Sequence, residues 1–479
     1  MLSVEPRPGP STTGGTGPSR ARRAAPARPH ARPHGRPRRI VEPREHLRAR
    51  PGLVLSLIGA GALAVLALWW ADTPSVHGLG DWLTNAGRIL GLLAGYGVVV
   101  LVALMSRLPP LERGIGTDRL ARWHAMGGRY VVSVIVAHAL LIIWGYSVTA
   151  HEGLVSETST LLTSYPDVLM ATVAGFGFLG IGLVSARAAR RRLSYDTWYY
   201  LHFYTYLAIA LAFSHQFADG ASFISSLTAR FVWSLLYASV AALLLWYRVI
   251  SPLRSAARHK FHVIALRRES AGVVSVYIGG QHLDELQADP GQFFRWRFLT
   301  RGMWWSSHPY SLSAAPRPDV MRITVKDRGD HSGAISRLRP GTRIIAEGPY
   351  GAFTPRRDRR RILLLAGGVG ITPLRAMFAA LPGEITLIYR ASSPEDVVFG
   401  PELDAIARSR RATVHYLIGS RARLGGDPLT AERLLSLVPG LRGRDVYVCG
   451  PAGMMRSAAA ALDAAGVPRA QIHHESFEF

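Results

Sequence analysis

Apolar positions along this chain fall into two regimes that meet near residue 250. Before it, six apolar runs recur at about 52–70, 89–106, 129–146, 168–186, 197–217 and 228–250. Each approaches the ~20 residues a helix needs to cross about 30 Å of hydrocarbon. From about 258 the runs shorten and alternate with polar positions: Phe261–Leu266, Val273–Ile278, Phe293–Phe298, Met321–Lys326 and Arg343–Ala346. Short alternating strands broken by turn residues predict a small antiparallel β-barrel. From about 360 the pattern becomes strand, glycine turn, helix. Ile362–Ala366 leads through Gly367-Gly368-Val369-Gly370 into a predicted helix over Thr372–Leu381, and further strands are expected at Ile385–Tyr389, Thr413–Ile418 and Asp445–Cys449. That alternation predicts a doubly wound parallel α/β domain, whose ligands sit at the C-terminal ends of its strands. The fold class is thus a multidomain membrane protein: a six-helix transmembrane bundle, a β-barrel and an α/β domain.

Charge sets the topology. The 479 residues are 48% hydrophobic yet carry a net charge of +24, which is possible only because basic and apolar residues are segregated. The first fifty residues hold twelve Arg and no Lys, with few large apolar side chains, so this segment should be a disordered basic tail. It could meet anionic lipid or nucleic acid, but the plainer expectation is a solvated tail that helps hold the N-terminus inside, with no specific nucleic-acid partner. Basic loops mark the cytoplasmic side. Arg107 to Arg122, and Arg187, Arg190, Arg191 and Arg192, are such loops, whereas Asp72 to Asn85 and Thr149 to Asp167 carry acids and no Lys or Arg. Both termini and the soluble half are therefore expected in the cytoplasm, with the spans in the cell membrane. A single cysteine, Cys449, rules out an intramolecular disulfide and fits a reducing compartment. The expected domains are residues 1–50, the tail; 51–255, the membrane bundle; 256–357, the barrel; and 358–479, the α/β domain.

Four histidines give the bundle its chemistry. His124 and His138 are fourteen apart and His202 and His215 thirteen apart, each pair on an apolar segment. Such spacing corresponds to roughly 20 Å along a helix. Ionisable residues inside a membrane are functional by default. Two helices side by side could clamp two b-type haems between imidazoles, one near each membrane face. By depth, His124 pairs with His202 and His138 with His215. Fourteen residues return to nearly the same helical face and thirteen do not, so either a helix distortion between His202 and His215 or different approach angles to the two irons are expected. Arg88, near the expected outer end of the second span, reads either as an interfacial snorkelling side chain or as a partner for a haem propionate or the acceptor.

In the soluble half, His308-Pro309-Tyr310-Ser311 offers an aromatic ring and a hydroxyl, which can stack on a flat heterocycle and hydrogen-bond its edge. Gly333-Ala334-Ile335-Ser336, just before a helical-looking Arg337–Arg339, could cradle a pyrophosphate, favouring FAD over FMN. The glycine turn after residue 366 is not GxGxxG, and Cys449-Gly450-Pro451 marks a second close-approach turn at the same sheet edge. Where an acid after the second strand would favour NAD, this chain has Arg390, and the third strand leads into Ser420-Arg421. A cation and a hydroxyl there suit the 2′-phosphate of NADPH. Glu395 and Asp396 lie close in sequence and oppose that preference.

Taken in order, the histidine spacings, HPYS, GxxS, Gly348-Pro349-Tyr350-Gly351, GGxGxTP, CGP and an aromatic C-terminus resemble the ferric reductase/NADPH oxidase family of transmembrane flavocytochromes over about residues 80–479. The soluble half looks like the ferredoxin–NADP reductase superfamily. The resemblance implies that Tyr310 stacks on the flavin, that Ser311 bonds its N5 region, and that His308 replaces the Arg of many soluble relatives. It also implies that Lys326, Gly333 and Ser336 bind FAD phosphate, and that Gly367, Gly368, Gly370, Thr372 and Pro373 hold the dinucleotide. Cys449, Gly450 and Pro451 would lie near the nicotinamide, with Phe479 over the flavin. The implied activity is hydride transfer from NAD(P)H to FAD, then single electrons through two haems to an extracytoplasmic acceptor. Ferric iron is the expected acceptor. Dioxygen, giving superoxide, or a partner protein served by a haem-bearing subunit are the alternatives, and so is a membrane-tethered reductase whose spans are only an anchor. The sequence is silent on oligomeric state.

Overall fold

The computed structural model describes residues 48–475 apart from 74, 166, 187–191, 194 and 356–359. The expected basic tail up to residue 47, Arg187, Arg190, Arg191 and Phe479 lie outside the described residues. The membrane half is built from helices α1 (Pro51–Asp72), α2 (Gly78–Leu104), α3 (Thr117–Ala150), α4 (Val168–Ser185), α5 (Tyr195–Phe203), α6 (Thr205–Asp219), α7 (Leu227–Leu245) and α8 (Ser251–His259). Five uninterrupted helices among the described residues are long and apolar enough to cross a membrane: α1, α2, α3, α4 and the continuous stretch Leu227–His259. The sixth expected span, 197–217, is divided at Tyr204 into α5 and α6. The Thr205 hydroxyl takes the His202 carbonyl at 2.5 Å, and the Tyr204 N–H reaches back only to Leu201 at 3.2 Å. A side-chain hydroxyl competing for a helix carbonyl is a recognised cause of such a break. The expected distortion between His202 and His215 falls here.

Two boundaries differ from expectation. α2 begins at Gly78, eleven residues before the apolar run, so Arg88 lies well inside a helix rather than near its end. Hydropathy marks only the apolar part of a helix, and the polar turns Gly78–Asn85 escaped it. The segment 149–167, expected as a loop, contains the helix Leu154–Ser164. Helices α2 and α3 pack backbone to backbone. A Cβ on Gly145 would overlap Thr84, and one on Gly80 would overlap Thr149. Close approach through small residues is the usual means by which helices associate in lipid.

The soluble half begins with two three-stranded antiparallel sheets. One has the order β1 (His262–Ser270), β2 (Val273–Gly279), β5 (Met321–Lys326). The other has the order β4 (His308–Ser311), β3 (Phe293–Phe298), β6 (Ile344–Tyr350). Isolated bridges His262–Arg343 and Leu312–Ile323 link them, and Trp296, Phe294, Phe298, Ile278 and Ile323 fill the space between. Each fully buried Phe or Ile contributes roughly 1.5–3 kcal/mol relative to exposure. The third unit is a parallel sheet in the order β11 (Ile472–Glu475), β10 (Asp445–Cys449), β7 (Arg361–Gly367), β8 (Glu384–Ala391), β9 (Thr413–Ile418). Its strand β7 is buried from Ile362 to Ala366, as a central parallel strand covered on both faces should be.

Candidate functional site

Within the bundle, α3 carries His124 and His138, while α5 and α6 carry His202 and His215. The imidazoles of His124 and His202 face each other with ring centroids 5.9 Å apart and planes 75° apart. Imidazole–metal bonds of about 2 Å place two rings on one metal roughly 6 Å apart, so this pair fits axial ligation of a haem. His138 and His215 lie within electrostatic range of one another. All four rings engage a second group through Nδ1. His124 uses the Leu101 carbonyl at 3.1 Å, His138 the Gly87 carbonyl at 2.8 Å, His202 the Ser185 hydroxyl at 3.4 Å, and His215 the Asp219 carboxylate at 3.1 Å. Metal-binding histidines are oriented in this way, with Nδ1 fixed and Nε2 turned to the metal. A Cβ on Gly91 of α2 would stand 2.8 Å from the His138 ring, so glycine there makes room for the imidazole. Trp198 stacks on His202 at 5.2 Å. Arg88 is half-buried and has no ion-pair partner among the described residues.

His308, Tyr310 and Ser311 form the edge strand β4 beside β3. The Trp296 indole N–H donates to the Tyr310 carbonyl at 3.1 Å, which fixes the strand. Tyr310 is half-buried, and burial pushes its phenol up. The His308 ring stacks on His331 at 3.6 Å. Burial first, then the charges of His331 and Arg295, push His308 down to about 3, so it is neutral at physiological pH. His331 lies in a six-residue helix, α9 (Asp330–Ile335). Gly333 to Ser336 therefore ends that helix instead of preceding one, which corrects the expected placement. Gly329, with φ of +144°, turns the chain into a helix that starts at Asp330, seven residues ahead of the expected start at Arg337. The amides of the first turn thus belong to Asp330, His331 and Ser332, residues the sequence reading did not single out. Ser336 donates to the Gly333 carbonyl at 2.7 Å, and Lys326 pairs with Asp396 at 3.9 Å.

At the C-terminal edge of the parallel sheet, the two glycine turns interlock. A Cβ on Gly370 would meet the Cys449 carbonyl oxygen, and one on Gly450 would stand 3.2 Å from the Gly367 backbone. Gly368 adopts φ of +52°. The helix α10 (Ile371–Ala380) follows directly, with Thr372 and Pro373 buried in its first turn and the Thr372 hydroxyl on the Val369 carbonyl at 3.0 Å. Backbone exposed at a strand end ahead of a helix start suits a dinucleotide phosphate. Pro451 packs against this turn. Cys449 is fully buried, and burial together with Glu475 raises its thiol far above the ordinary range. Arg390 and Arg421 gather at the ends of β8 and β9, but both are engaged. Arg390 bonds the Leu417 carbonyl at 3.0 Å, while Arg421 pairs with Asp427 at 2.9 Å and Ser457 at 3.0 Å. Ser420 caps the Arg423 amide at 3.2 Å. Asp427 was not legible in advance, because only the fold brings Ser457 to its carboxylate.

The units are joined by buried charges. Arg107, in the loop after α2, pairs with Glu347 of β6, and its guanidinium lies 5.7 Å from the Tyr350 ring centre. Burial, then Arg248 and Arg295, push Arg107 down to about 10, so it stays a cation at neutral pH. Arg322 of β5 and Arg375 of α10 share Glu402, which ties the antiparallel sheets to the parallel one.

Comparison with known proteins fits this geometry. Residues 259–354 match the FAD-binding domain family and residues 364–460 the oxidoreductase NAD-binding domain family. Residues 90–213 match the ferric reductase like transmembrane component. The ferredoxin reductase component of 3-ketosteroid-9-alpha-monooxygenase from Mycolicibacterium smegmatis is 34% identical over 206 residues, 41% of this chain and 57% of that protein. An NADPH oxidoreductase of Mycobacterium tuberculosis is 27% identical over 244 residues, 48% of this chain and 63% of its own length. Among solved structures, the FAD/NAD binding domain of nitric oxide dioxygenase from Vibrio cholerae has 24% identity and a TM-score of 0.39, covering 46% of this chain and 99% of that one. The chain thus spans less than two thirds of the length of these curated relatives. Its soluble half is an NAD(P)H-dependent flavin oxidoreductase module. With the transmembrane component ahead of it, the three matches in this order make up the architecture of the ferric reductase/NADPH oxidase family.

Proposed function

We propose that this protein draws electrons from NAD(P)H in the cytoplasm and delivers them across the cell membrane to an extracytoplasmic acceptor, ferric iron. The observation that carries this reading is the pairing of His124 with His202, and of His138 near His215, inside a bundle joined to a flavin and nicotinamide module. When bound, FAD would divide a hydride into single electrons and two b-type haems would carry them between the membrane faces. His124 and His202 would hold the haem nearer the soluble half, and His138 and His215 the farther one. Leu101, Gly87, Ser185 and Asp219 orient the four rings. Tyr310 would face the flavin ring and Ser311 its edge, with Lys326 and the Ser332–Ser336 turn near the phosphates. Gly367 to Pro373 and Cys449 to Pro451 would receive the dinucleotide, with Arg390, Ser420 and Arg421 favouring NADPH. Arg88, without an acid partner among the described residues, suits a propionate or an anionic iron chelate. Phe479 would cover the flavin.

The test uses the purified full chain. A reduced-minus-oxidised spectrum should show b-type haem at two per chain, and His138→Leu or His215→Leu should leave one while NADPH still reduces the flavin. NADPH oxidation should depend on ferric chelate, with a higher kcat/KM than NADH. No b-type signal would leave a membrane-tethered reductase. Oxidation that consumes dioxygen and ignores ferric chelate would make the protein a superoxide generator.

A further inference from the structure

Where α7 leaves the bundle, it passes through a π-helical turn, Trp246–Ile250, and continues as α8. α8 ends at Lys260, which adopts φ of +45° and donates its N–H to the Ala256 carbonyl at 3.0 Å. That left-handed residue turns the chain back into β1. The facing wall is the loop after β2. The Gln281 N–H donates to the His259 carbonyl at 2.6 Å, and buried His259 hydrogen-bonds the Gln281 carbonyl through Nδ1 at 3.0 Å. Between these walls lies an open cavity of about 730 Å³. Its polar lining includes Ser251, Arg254, Ser255, Arg258, Lys260 and His282, beside Gln281.

The charges are not balanced from within. Arg258 is held by Glu285 in a two-pronged ion pair at 2.5 and 2.6 Å, and His282 stands 3.8 Å from the same carboxylate. Among the described residues, no carboxylate pairs with Arg254 or Lys260. The Arg254 guanidinium instead sits 5.9 Å from the Trp246 ring centre. Two uncompensated cations beside two hydroxyls form a donor set for a phosphate. The surroundings decide which phosphate. Trp246 lines the cavity and is 47% exposed, while Leu245, Val249 and Leu253, outside its lining, are 46–55% exposed on the same stretch of helix. That stretch belongs to a helix apolar enough to span a membrane. An aromatic and aliphatic collar at the end of a span sits among lipid chains and headgroups. A free phosphate would occupy a small part of the cavity and leave the collar unused.

We propose that this cavity binds the phosphate of an anionic phospholipid headgroup, with Arg254 and Lys260 as the principal cations, Ser251 and Ser255 as hydroxyl donors, and Trp246 against the acyl chains. The lipid would brace the junction between the last transmembrane helix and β1. The test places the full-length protein in phosphatidylcholine nanodiscs with and without phosphatidylglycerol and counts retained lipids by native mass spectrometry. The wild type should retain phosphatidylglycerol against added inorganic phosphate. Each cation near an anionic lipid contributes about fivefold to binding, so Arg254→Ala with Lys260→Ala should weaken retention about 25-fold. Ser255→Asp, which sets a carboxylate in the cavity, should do the same, with flavin content and melting midpoint unchanged in both. Retention that the variants leave intact would overturn the proposal. So would displacement of the lipid by inorganic phosphate at equal concentration, which would make the site one for free phosphate.

Discussion

Glu475 is the most informative single residue that the sequence did not announce. It pairs with Cys449 across β10 and β11, is 8% exposed, and leaves Oε2 without a hydrogen-bond partner among the described residues. Burial, and then Asp118 at the start of α3, raise its carboxyl well above the ordinary 4.5. In the unfolded chain it loses its proton near 4.5, whereas in the folded protein it keeps the proton to higher pH. The folded state therefore binds the extra proton, and stability falls as pH rises above 4.5 toward the folded value, by up to about 1.4 kcal/mol per pH unit. Glu475→Gln should flatten that slope and raise the melting midpoint at alkaline pH, as followed by flavin fluorescence. A slope unchanged by the substitution would show that Glu475 is ionised in the fold. The contrast with Tyr310 and Ser311 is physical. Those two stand in one short strand whose neighbours in sequence are its neighbours in space, so their motif could be read directly. Glu475 acquires its properties from burial at the sheet edge and, after that, from Asp118, a residue of another domain.

Among the elements, strands were the most legible. β3, β5, β9 and β10 match the expected boundaries, because alternation and β-branched runs leave little freedom in where pairing begins. The short strands β4 and β11 were missed, since four residues carry too little pattern. Helices were read as apolar runs, which found the spans but not the polar start of α2, whereas the break at Tyr204 was foreshadowed by the thirteen-residue spacing of His202 and His215. The contact between sheets was also hidden, for Arg322, Arg375 and Glu402 look like ordinary surface charges in sequence. Arg322 is 5% exposed and Arg375 11% exposed on their side chains, and both depend on Glu402. Removing one partner of a buried ion network costs about 3–5 kcal/mol. Glu402→Ala should therefore lower the melting midpoint and slow flavin reduction by NADPH, while Arg88→Ala should leave both unchanged. Stopped-flow absorbance with a thermal melt on the same samples measures the pair.

For the whole molecule, the decisive contacts are those that hold the flavin module to the bundle. Arg107 adopts φ of +64°, a conformation unusual for a side-chain-bearing residue, and inserts its guanidinium between Glu347 and the Tyr350 ring. It acts on position and touches no reacting atom. Misplacement of reacting groups by about 1 Å can cost on the order of 100-fold in rate. Arg107→Ala should leave flavin reduction by NADPH near the wild-type rate and slow electron delivery to an external acceptor by about 10- to 100-fold. Arg107→Lys should recover part of the loss. Equal slowing of both steps would mean that the substitution merely destabilises the fold.

The length of α3 has one further consequence. This single 34-residue helix meets the parallel sheet through Asp118 and reaches His124 and His138 without interruption. Each residue added to a helix turns everything beyond it by about 100° and advances it by 1.5 Å. One residue inserted between Asp118 and His124 would swing both imidazoles away from α5 and α6, while seven would restore their bearing and displace them by about 10 Å. The segment thus keeps both angular phase and depth, so its length is constrained independently of the side chains that line it.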